Sequence, residues 1–182
     1  SVGSRYEAEN QSGITHFVEH MIFKGTPNRT AYEIACSFDR IGGYVNAFTE
    51  RELVCLHCVV PAQYAEFALE ILTDMTHNAL FLEQDVNKER SVIESEIISA
   101  QDDPEEACLD TVIDCVFPEN PLSKNICGTL DTVKNLSPTD LKNWYIKYFK
   151  EGELLITVAG NFDESRILSE VEEYSARKEA KV

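Results

Sequence analysis

The sequence lacks any long apolar run. No stretch of its 182 residues approaches the roughly 20 apolar residues that a membrane-spanning helix needs, so nothing in it predicts a bilayer crossing. Basic residues are also scarce: 16 Lys and Arg stand against 32 Asp and Glu, and the formal net charge is −16. Nucleic acids and anionic membranes attract basic surfaces, so neither is expected as a partner. The acidity indicates a solvated surface, or a preference for neutral or cationic partners.

The dense cysteine spacing of a small secreted disulfide scaffold is also missing, so this class of protein is not expected. Of the six cysteines, Cys55 and Cys58 form one Cys-x-x-Cys pair, a spacing that occurs in redox and zinc sites. The surrounding segment 53–60 has the pattern of a strand, however, and residues i and i+3 of a strand point to opposite faces. We interpret the pair as buried free thiols and expect a reducing compartment, cytoplasmic or, in a eukaryote, the mitochondrial matrix.

No linker or change of composition divides the chain, and its hydrophobic fraction of 43% is that of an ordinary globular domain. We therefore predict one domain over residues 1–182. Periodicity and turn signals predict helices over 12–23, 30–41, 62–76, 82–101, 104–116, 130–134, 138–149 and 163–174, and strands over 44–49, 52–60 and 154–159. The last of these strands is expected to be buried. The predicted fold class is α+β, with a mostly antiparallel sheet packed against helices.

The first predicted helix carries two different faces. Its apolar residues follow the i, i+3, i+4, i+7, i+8 spacing of a single stripe, namely Ile14, Phe17, Val18, Met21 and Ile22. His16, Glu19 and His20 fall on the opposite side of the helix. The apolar stripe can therefore anchor the helix while these three side chains project elsewhere.

His16 and His20 stand one helical turn apart, so both rings can reach one Zn²⁺ ion at about 2.0–2.1 Å. Glu19 is offset from them and can reach a water on the ion without binding the ion itself. The order His-x-x-Glu-His is the inverse of the commoner His-Glu-x-x-His motif. Because short motifs also arise by chance, the alternative is a pair of solvated surface histidines, and the motif needs a third ligand to confirm it.

The long helix predicted over 82–101 offers that ligand. Glu89 and Glu96 are seven residues apart and fall within an apolar arc that includes Ile93 and Ile97. A carboxylate on a buried face is costly unless a metal, an opposite charge or hydrogen bonds compensate it. Zinc would compensate Glu96 directly. The alternative for both carboxylates is a salt bridge to Lys or Arg.

The segment Gly13 to Met21, followed by Phe23-Lys24-Gly25-Thr26, resembles the insulinase/pitrilysin family of zinc peptidases. The resemblance extends from about residue 3 to residue 174 and is closest to the bacterial and mitochondrial processing-peptidase branch. Further segments similar to that family are 3–7, 42–49, 89–96 and 159–163. The expected structure is therefore a metallopeptidase domain of the processing-peptidase type.

This resemblance implies a zinc-dependent endopeptidase with one Zn²⁺ ion. His16, His20 and Glu96 would be the metal ligands, and Glu19 would be the general base that activates the attacking water. Glu89 would be a supporting carboxylate of the catalytic site. Each of these positions holds the residue type that the family uses.

The resemblance also implies how a peptide substrate binds and which partners are needed. Asn46 and Ala47 would lie on an edge strand that receives an extended peptide. In the family, related domains form a clamshell around the substrate, on one chain or two. We therefore expect residues 1–182 to be the N-terminal catalytic domain of a longer protein with two or four domains.

Two other functions are compatible with the sequence. One is a catalytically silent family fragment that acts as an interaction module. The other is a structural zinc-binding domain, which would need a fourth protein ligand such as His57 or His77. Nothing in the spacing ties either histidine to the motif, so packed or capping roles suit both better.

Overall fold

The structure is a computed structural model that describes residues 2–179, with side chains through residue 175. Its fold class is α+β, as predicted. The helices in the described residues are α1 Ile14–Ile22, α2 Ala31–Asp39, α3 Ala65–Asn78, α4 Glu83–Asp102, α5 Pro104–Val116, α6 Leu130–Asn135, α7 Pro138–Tyr145 and α8 Glu164–Glu179. A π-helical turn, Ile146–Lys150, extends α7. No helix in this described part of the chain combines the length and apolar character that a membrane crossing requires.

The sheet is smaller than the sequence predicted. β1 Tyr44–Thr49 and β2 Val54–Val59 form an antiparallel hairpin in which Asn46 lies opposite His57. Within the described residues these two strands are the whole sheet. The two predicted strands of the hairpin are thus confirmed.

The prediction of a buried strand over 154–159 is wrong. The segment has no strand hydrogen bonding, and Leu155 is 89% exposed. A strand persists only where a neighbour pairs with its backbone N–H and C=O groups. The segment has the apolar composition of a strand, but the described residues provide no partner for it.

The core fixes α1 from its apolar side. All five residues of the predicted stripe are fully buried, and they pack against α4 and α7 in one cluster: Ile14, Phe17, Val18, Met21, Ile22, Val86, Ile93, Ile97, Leu141 and Trp144. Burying each large apolar side chain contributes about 1.5–3 kcal/mol. A second cluster joins α2, α3 and the hairpin. The helix that carries the histidines is therefore packed against α4 and α7.

The N-terminus of α1 is capped by a side chain that lies outside the helix. Gly13 has a positive φ of 89°, which glycine adopts without strain, and it offers no side chain to cap the helix. Instead the buried carboxylate of Glu7 accepts hydrogen bonds from the Gly13 N–H at 2.8 Å and the Thr15 N–H at 2.9 Å. Burial raises the pKa of Glu7, and the hydrogen bonds from Thr15 and Gly13 offset part of that rise.

We expect Glu7→Ala to lower the free energy of unfolding by about 2 kcal/mol, because two buried N–H groups lose their acceptor. Glu7→Gln should cost less, since its amide oxygen can still accept one bond. Urea denaturation followed by circular dichroism measures both. The control is Glu9→Ala, which removes an exposed carboxylate nearby. Equal stability of Glu7→Ala and Glu9→Ala would show that Glu7 does not cap α1.

Candidate metal centre

Three potential ligands from α1 and α4 converge. The Nε2 atoms of His16 and His20 lie 3.2 Å apart. Glu96 Oε2 lies 3.4 Å from His20 Nε2 and 3.9 Å from His16 Nε2. Within the described residues, this is the one group of three such side chains whose ligand atoms lie within 4.8 Å of one another. Tetrahedral zinc with bonds of about 2.0–2.1 Å separates its ligand atoms by roughly 3.3–3.4 Å, so the spacing fits this ion.

The chemistry of the two rings also suits a cation. Burial, and then repulsion from His20, lowers the pKa of His16 to about 4, so this ring is neutral at pH 7 and can donate a lone pair. His16 Nδ1 is buried and has no hydrogen-bond partner among the described residues. The opposite nitrogen faces His20 and Glu96. Two imidazole nitrogens and a carboxylate oxygen are the ligand types that zinc prefers.

Glu89 and Lys24 support His20 from behind. Glu89 Oε1 lies 3.0 Å from His20 Nδ1, and Lys24 Nζ lies 2.5 Å from Glu89 Oε2. Burial alone raises the pKa of Glu89, but hydrogen bonds from Lys24 and His20 hold the net pKa below its ordinary value. An ionised Glu89 accepts a hydrogen bond from the Nδ1–H of His20, which leaves the Nε2 lone pair directed at the ligand group. The salt bridge considered for Glu89 is thus present together with its contact to His20.

The two carboxylates of α4 differ in burial. Glu89 is buried as predicted, but the prediction of a buried Glu96 is wrong, because its side chain is 45% exposed. Glu96 faces an open cleft beside the histidines instead of the core. No Lys or Arg of the described residues forms an ion pair with Glu96, so the salt-bridge alternative does not apply to it.

Glu19 lies beside the ligand group but is not a member of it. The carboxylate is buried, and its Oε2 accepts a hydrogen bond of 2.5 Å from the hydroxyl of Thr49. Burial raises the pKa of Glu19, and the bond from Thr49 offsets part of that rise. A carboxyl group with a raised pKa is suited to exchanging protons near neutral pH. The cleft of about 420 Å³ at this site is lined by Glu19, His20, Phe23, Lys24, Val45, Asn46, Glu89 and Glu96.

Asn46 and Ala47 lie on β1 at the border of this cleft. The Glu50 N–H donates to the Leu53 carbonyl at 2.8 Å and closes the hairpin. Because inward and outward groups alternate along an antiparallel pair, the backbone groups of Ala47 then point away from β2. The Ala47 N–H donates to Asn46 Oδ1 at 2.9 Å. No strand of the described residues pairs with this outer edge of β1.

The other two histidines lie apart from the group. His57 sits between the rings of Tyr44 and Phe48, each with its centroid 6.0 Å away. His77 Nε2 lies 2.6 Å from the hydroxyl of Tyr174. Neither belongs to the candidate metal group, so the described residues supply no fourth protein ligand. This placement is consistent with the sequence analysis, in which the spacing tied neither His57 nor His77 to the metal-binding motif.

Sequence reasoning assigned no role to Lys24 or Thr49. A usable signal existed for Thr49, since the alternation of β1 places it on the same face as Val45 and Ala47, where a polar residue needs a partner. Lys24 follows His20 by four residues at the end of α1, a spacing that puts both on one side of the chain. Neither signal identifies the carboxylate that each residue contacts.

We expect Glu89→Gln to weaken Zn²⁺ binding by roughly 10- to 100-fold, the usual effect of removing a group that orients a metal-binding histidine. The loss arises because a neutral amide holds the His20 proton less firmly and leaves Lys24 without its counter-charge. Competition with a chelating dye measures the affinity. Glu83→Gln, an exposed position at the start of α4, is the control and should match the unmodified chain. Affinities equal within a factor of about two would contradict the role given to Glu89.

A metallopeptidase-type domain is the class of protein that this fold and this group of side chains define. The chain belongs to the insulinase family, peptidase family M16, whose model matches residues 1–130. It is 39% identical over 171 residues to an uncharacterized zinc protease of Rickettsia felis, covering 94% of this chain and 42% of that protein. It is 38% identical over 179 residues to the uncharacterized zinc protease YmxG of Bacillus subtilis, covering 98% and 44% respectively.

Solved structures agree on the fold. A protease from Helicobacter pylori superposes with a TM-score of 0.87 at 23% identity, over 95% of this chain and 42% of that one. Pitrilysin matches with a TM-score of 0.71 at 25% identity, over 81% and 16%. An inactive M16 domain from Pseudomonas fluorescens matches with a TM-score of 0.68 at 13% identity, over 78% and 35%. The chain spans less than half the length of the two curated relatives named above.

Proposed function

We propose that this chain is the zinc-binding catalytic domain of an endopeptidase that hydrolyses peptide bonds in extended peptides. One Zn²⁺ ion would be held by His16, His20 and Glu96. The observation that carries the proposal is the convergence of these three ligand atoms beside a buried carboxylate, Glu19, that stays out of their group. Relatives described as zinc proteases support the choice of metal.

A Zn²⁺ ion held by His16, His20 and Glu96 would supply Lewis-acid polarisation of the scissile carbonyl and would acidify a water. Glu19 acts as the general base, taking the proton of the attacking water on Oε1 while Thr49 holds Oε2. The same carboxyl group then delivers the proton to the leaving amine. Glu89, fixed by Lys24, keeps His20 in the tautomer that binds metal.

We assign substrate binding to the free edge of β1. An extended peptide can pair with this edge through main-chain hydrogen bonds, which do not depend on side-chain identity. Its carbonyl would displace Asn46 Oδ1 from the Ala47 N–H. The released Asn46 amide could then bond to the substrate. This arrangement would place the peptide along the cleft that Glu19 and Glu96 line.

We further propose that turnover needs a companion half of the same family, on this polypeptide or on a second subunit. The curated relatives are more than twice as long as the matched region. The open cleft and the exposed Glu96 fit a site that a further domain closes over substrate. Residues 1–182 alone would then bind zinc but cleave peptides weakly.

A catalytically silent interaction module is the second candidate, because one fold neighbour is an inactive M16 domain. Such a module has no need for a base or for an intact ligand group. Both are present here, which favours the enzyme.

The test measures zinc content and peptide hydrolysis on the full-length protein and on the 182-residue chain. One ion per chain, lost in His16→Ala and kept in His57→Ala, together with hydrolysis by the full-length protein, is the expected result. A chain without stoichiometric zinc would overturn the proposed function. Fast turnover by the 182-residue chain alone would overturn only the need for a companion.

A further inference from the structure

Thr49 is a buried polar residue that carries out no chemical step in the proposed reaction. It is the last residue of β1, and its hydroxyl donates a 2.5 Å hydrogen bond to Glu19 Oε2 on α1. Both side chains are less than 10% exposed, at 9% for Thr49 and 8% for Glu19. The bond therefore joins the end of β1 to α1.

The need for such a bond follows from where Glu19 lies. The carboxylate sits between two ligand residues in the sequence and lines the same cleft as Glu96. A carboxylate is itself a zinc ligand, and one that is buried without a donor gains strongly by binding a nearby cation. Four protein ligands would close the site, and a closed site is a structural one. A hydrogen-bond donor to Glu19 therefore favours a carboxylate that stays outside the ligand group.

Thr49 is suited to hold Glu19 because of its position on β1. Val45, Ala47 and Thr49 share the face of β1 that points into the protein, and of these only Thr49 offers a hydrogen-bond donor in its side chain. The hydroxyl donates a hydrogen bond to Glu19 Oε2, and this bond restrains rotation of the carboxylate. Val45 and Ala47 cannot replace it, because an apolar side chain leaves the buried carboxylate without a partner.

We propose that Thr49 is a positioning residue that keeps Glu19 outside the coordination sphere of the metal, so that Glu19 remains free to move protons. The inference rests on the proposed function, because it presumes zinc at His16, His20 and Glu96. It adds a residue to which the catalytic mechanism assigns no chemical step. Its effect is visible in metal binding, even where a chain has no peptidase activity.

The experiment compares Thr49→Val, which keeps the shape but removes the hydroxyl, with Thr49→Ser, which keeps the hydroxyl. Zn²⁺ affinity is measured by chelator competition, and Co²⁺ is used as a probe because its visible absorption changes when one of the ligands of the ion changes. Thr49→Val should bind Zn²⁺ more tightly by roughly tenfold, an effect of the size that outer groups exert on metal sites. Its Co²⁺ bands should shift, because a carboxylate oxygen would take the fourth position in place of water. Thr49→Ser should match the unmodified chain in both measurements.

A double variant identifies the added ligand. Adding Glu19→Ala to Thr49→Val should return the Co²⁺ spectrum and the Zn²⁺ affinity to those of the unmodified chain. If thermal melting shows that Thr49→Val does not fold, Thr49→Ala provides the same two measurements.

The outcomes separate the two proposals. Normal zinc binding by the unmodified chain, with no change in affinity or spectrum in the hydroxyl-deleted variant, would overturn the role of Thr49 alone. A change that persists after Glu19 is removed would also overturn it. Absence of zinc binding in the unmodified chain would overturn the proposed function itself.

Discussion

Replacing Glu96 by Ala is expected to weaken Zn²⁺ binding by roughly 100- to 1,000-fold. Zinc bound by four protein ligands is held by about 10–16 kcal/mol, or about 2.5–4 kcal/mol for each ligand. Glu96 Oε2 is the carboxylate oxygen nearest to the Nε2 atoms of His20 and His16, at 3.4 Å and 3.9 Å. Chelator competition on the purified chain measures the loss.

Glu94→Ala is the matched control for this change. It removes the same charge from the same helix at a position outside the ligand group. Its zinc affinity should stay close to that of the unmodified chain. If Glu96→Ala and Glu94→Ala bind zinc equally well, Glu96 is not a ligand, and the two histidines would need another third partner.

Glu19→Gln should lower kcat of the full-length protein by about 10³–10⁴-fold, because an amide cannot take the proton of the attacking water. Zinc content should be unchanged, since Glu19 lies outside the ligand group. The Gln side chain has the same size and can still accept the Thr49 hydroxyl through its amide oxygen. Steady-state hydrolysis of a fluorogenic peptide, with metal analysis of the same samples, gives both values.

This substitution also distinguishes an enzyme from a structural zinc domain. A structural site would keep its zinc and change no other property in Glu19→Gln. Glu9→Gln, at an exposed position, controls for the loss of one charge. Full activity in Glu19→Gln would remove the general-base role, and loss of zinc would show that Glu19 is a ligand.

The helical part of the site could be predicted because periodicity decides which residues share a face. The i, i+4 spacing of His16 and His20 requires their rings to be neighbours once α1 forms. The apolar stripe of α1 is buried as expected, with each of its residues at 0% exposure. Placing Glu96 opposite them depended on the family resemblance, because no local rule fixes how α4 packs against α1.

The errors arose where tertiary structure decides. Glu89 and Glu96 lie on nearly the same side of α4. Even so, Glu89 is buried and the side chain of Glu96 is partly exposed at the cleft. Periodicity predicts which face of a helix a residue lies on. It does not predict how much of that face is covered by neighbouring elements. The apolar segment 154–159 was predicted as a strand from its own residues, whereas a strand depends on a partner elsewhere.

The contacts of Thr49 and Lys24 could not be read from the sequence for a related reason. Thr49 meets Glu19 across 30 residues, and Lys24 meets Glu89 across a longer separation. Each bond exists because two elements pack at a particular distance and angle. A buried polar residue on a strand signals only that a partner must exist.

The central claim is that one zinc ion binds where α1 and α4 meet, and anomalous diffraction at the zinc edge from crystals of the zinc-loaded protein tests it most directly. The expected result is a single strong peak about 2.0–2.2 Å from His16 Nε2, His20 Nε2 and a Glu96 oxygen. Glu19 should remain beyond bonding distance and hydrogen-bonded to Thr49. A peak at His57 or His77, or no peak between α1 and α4, would contradict the claim.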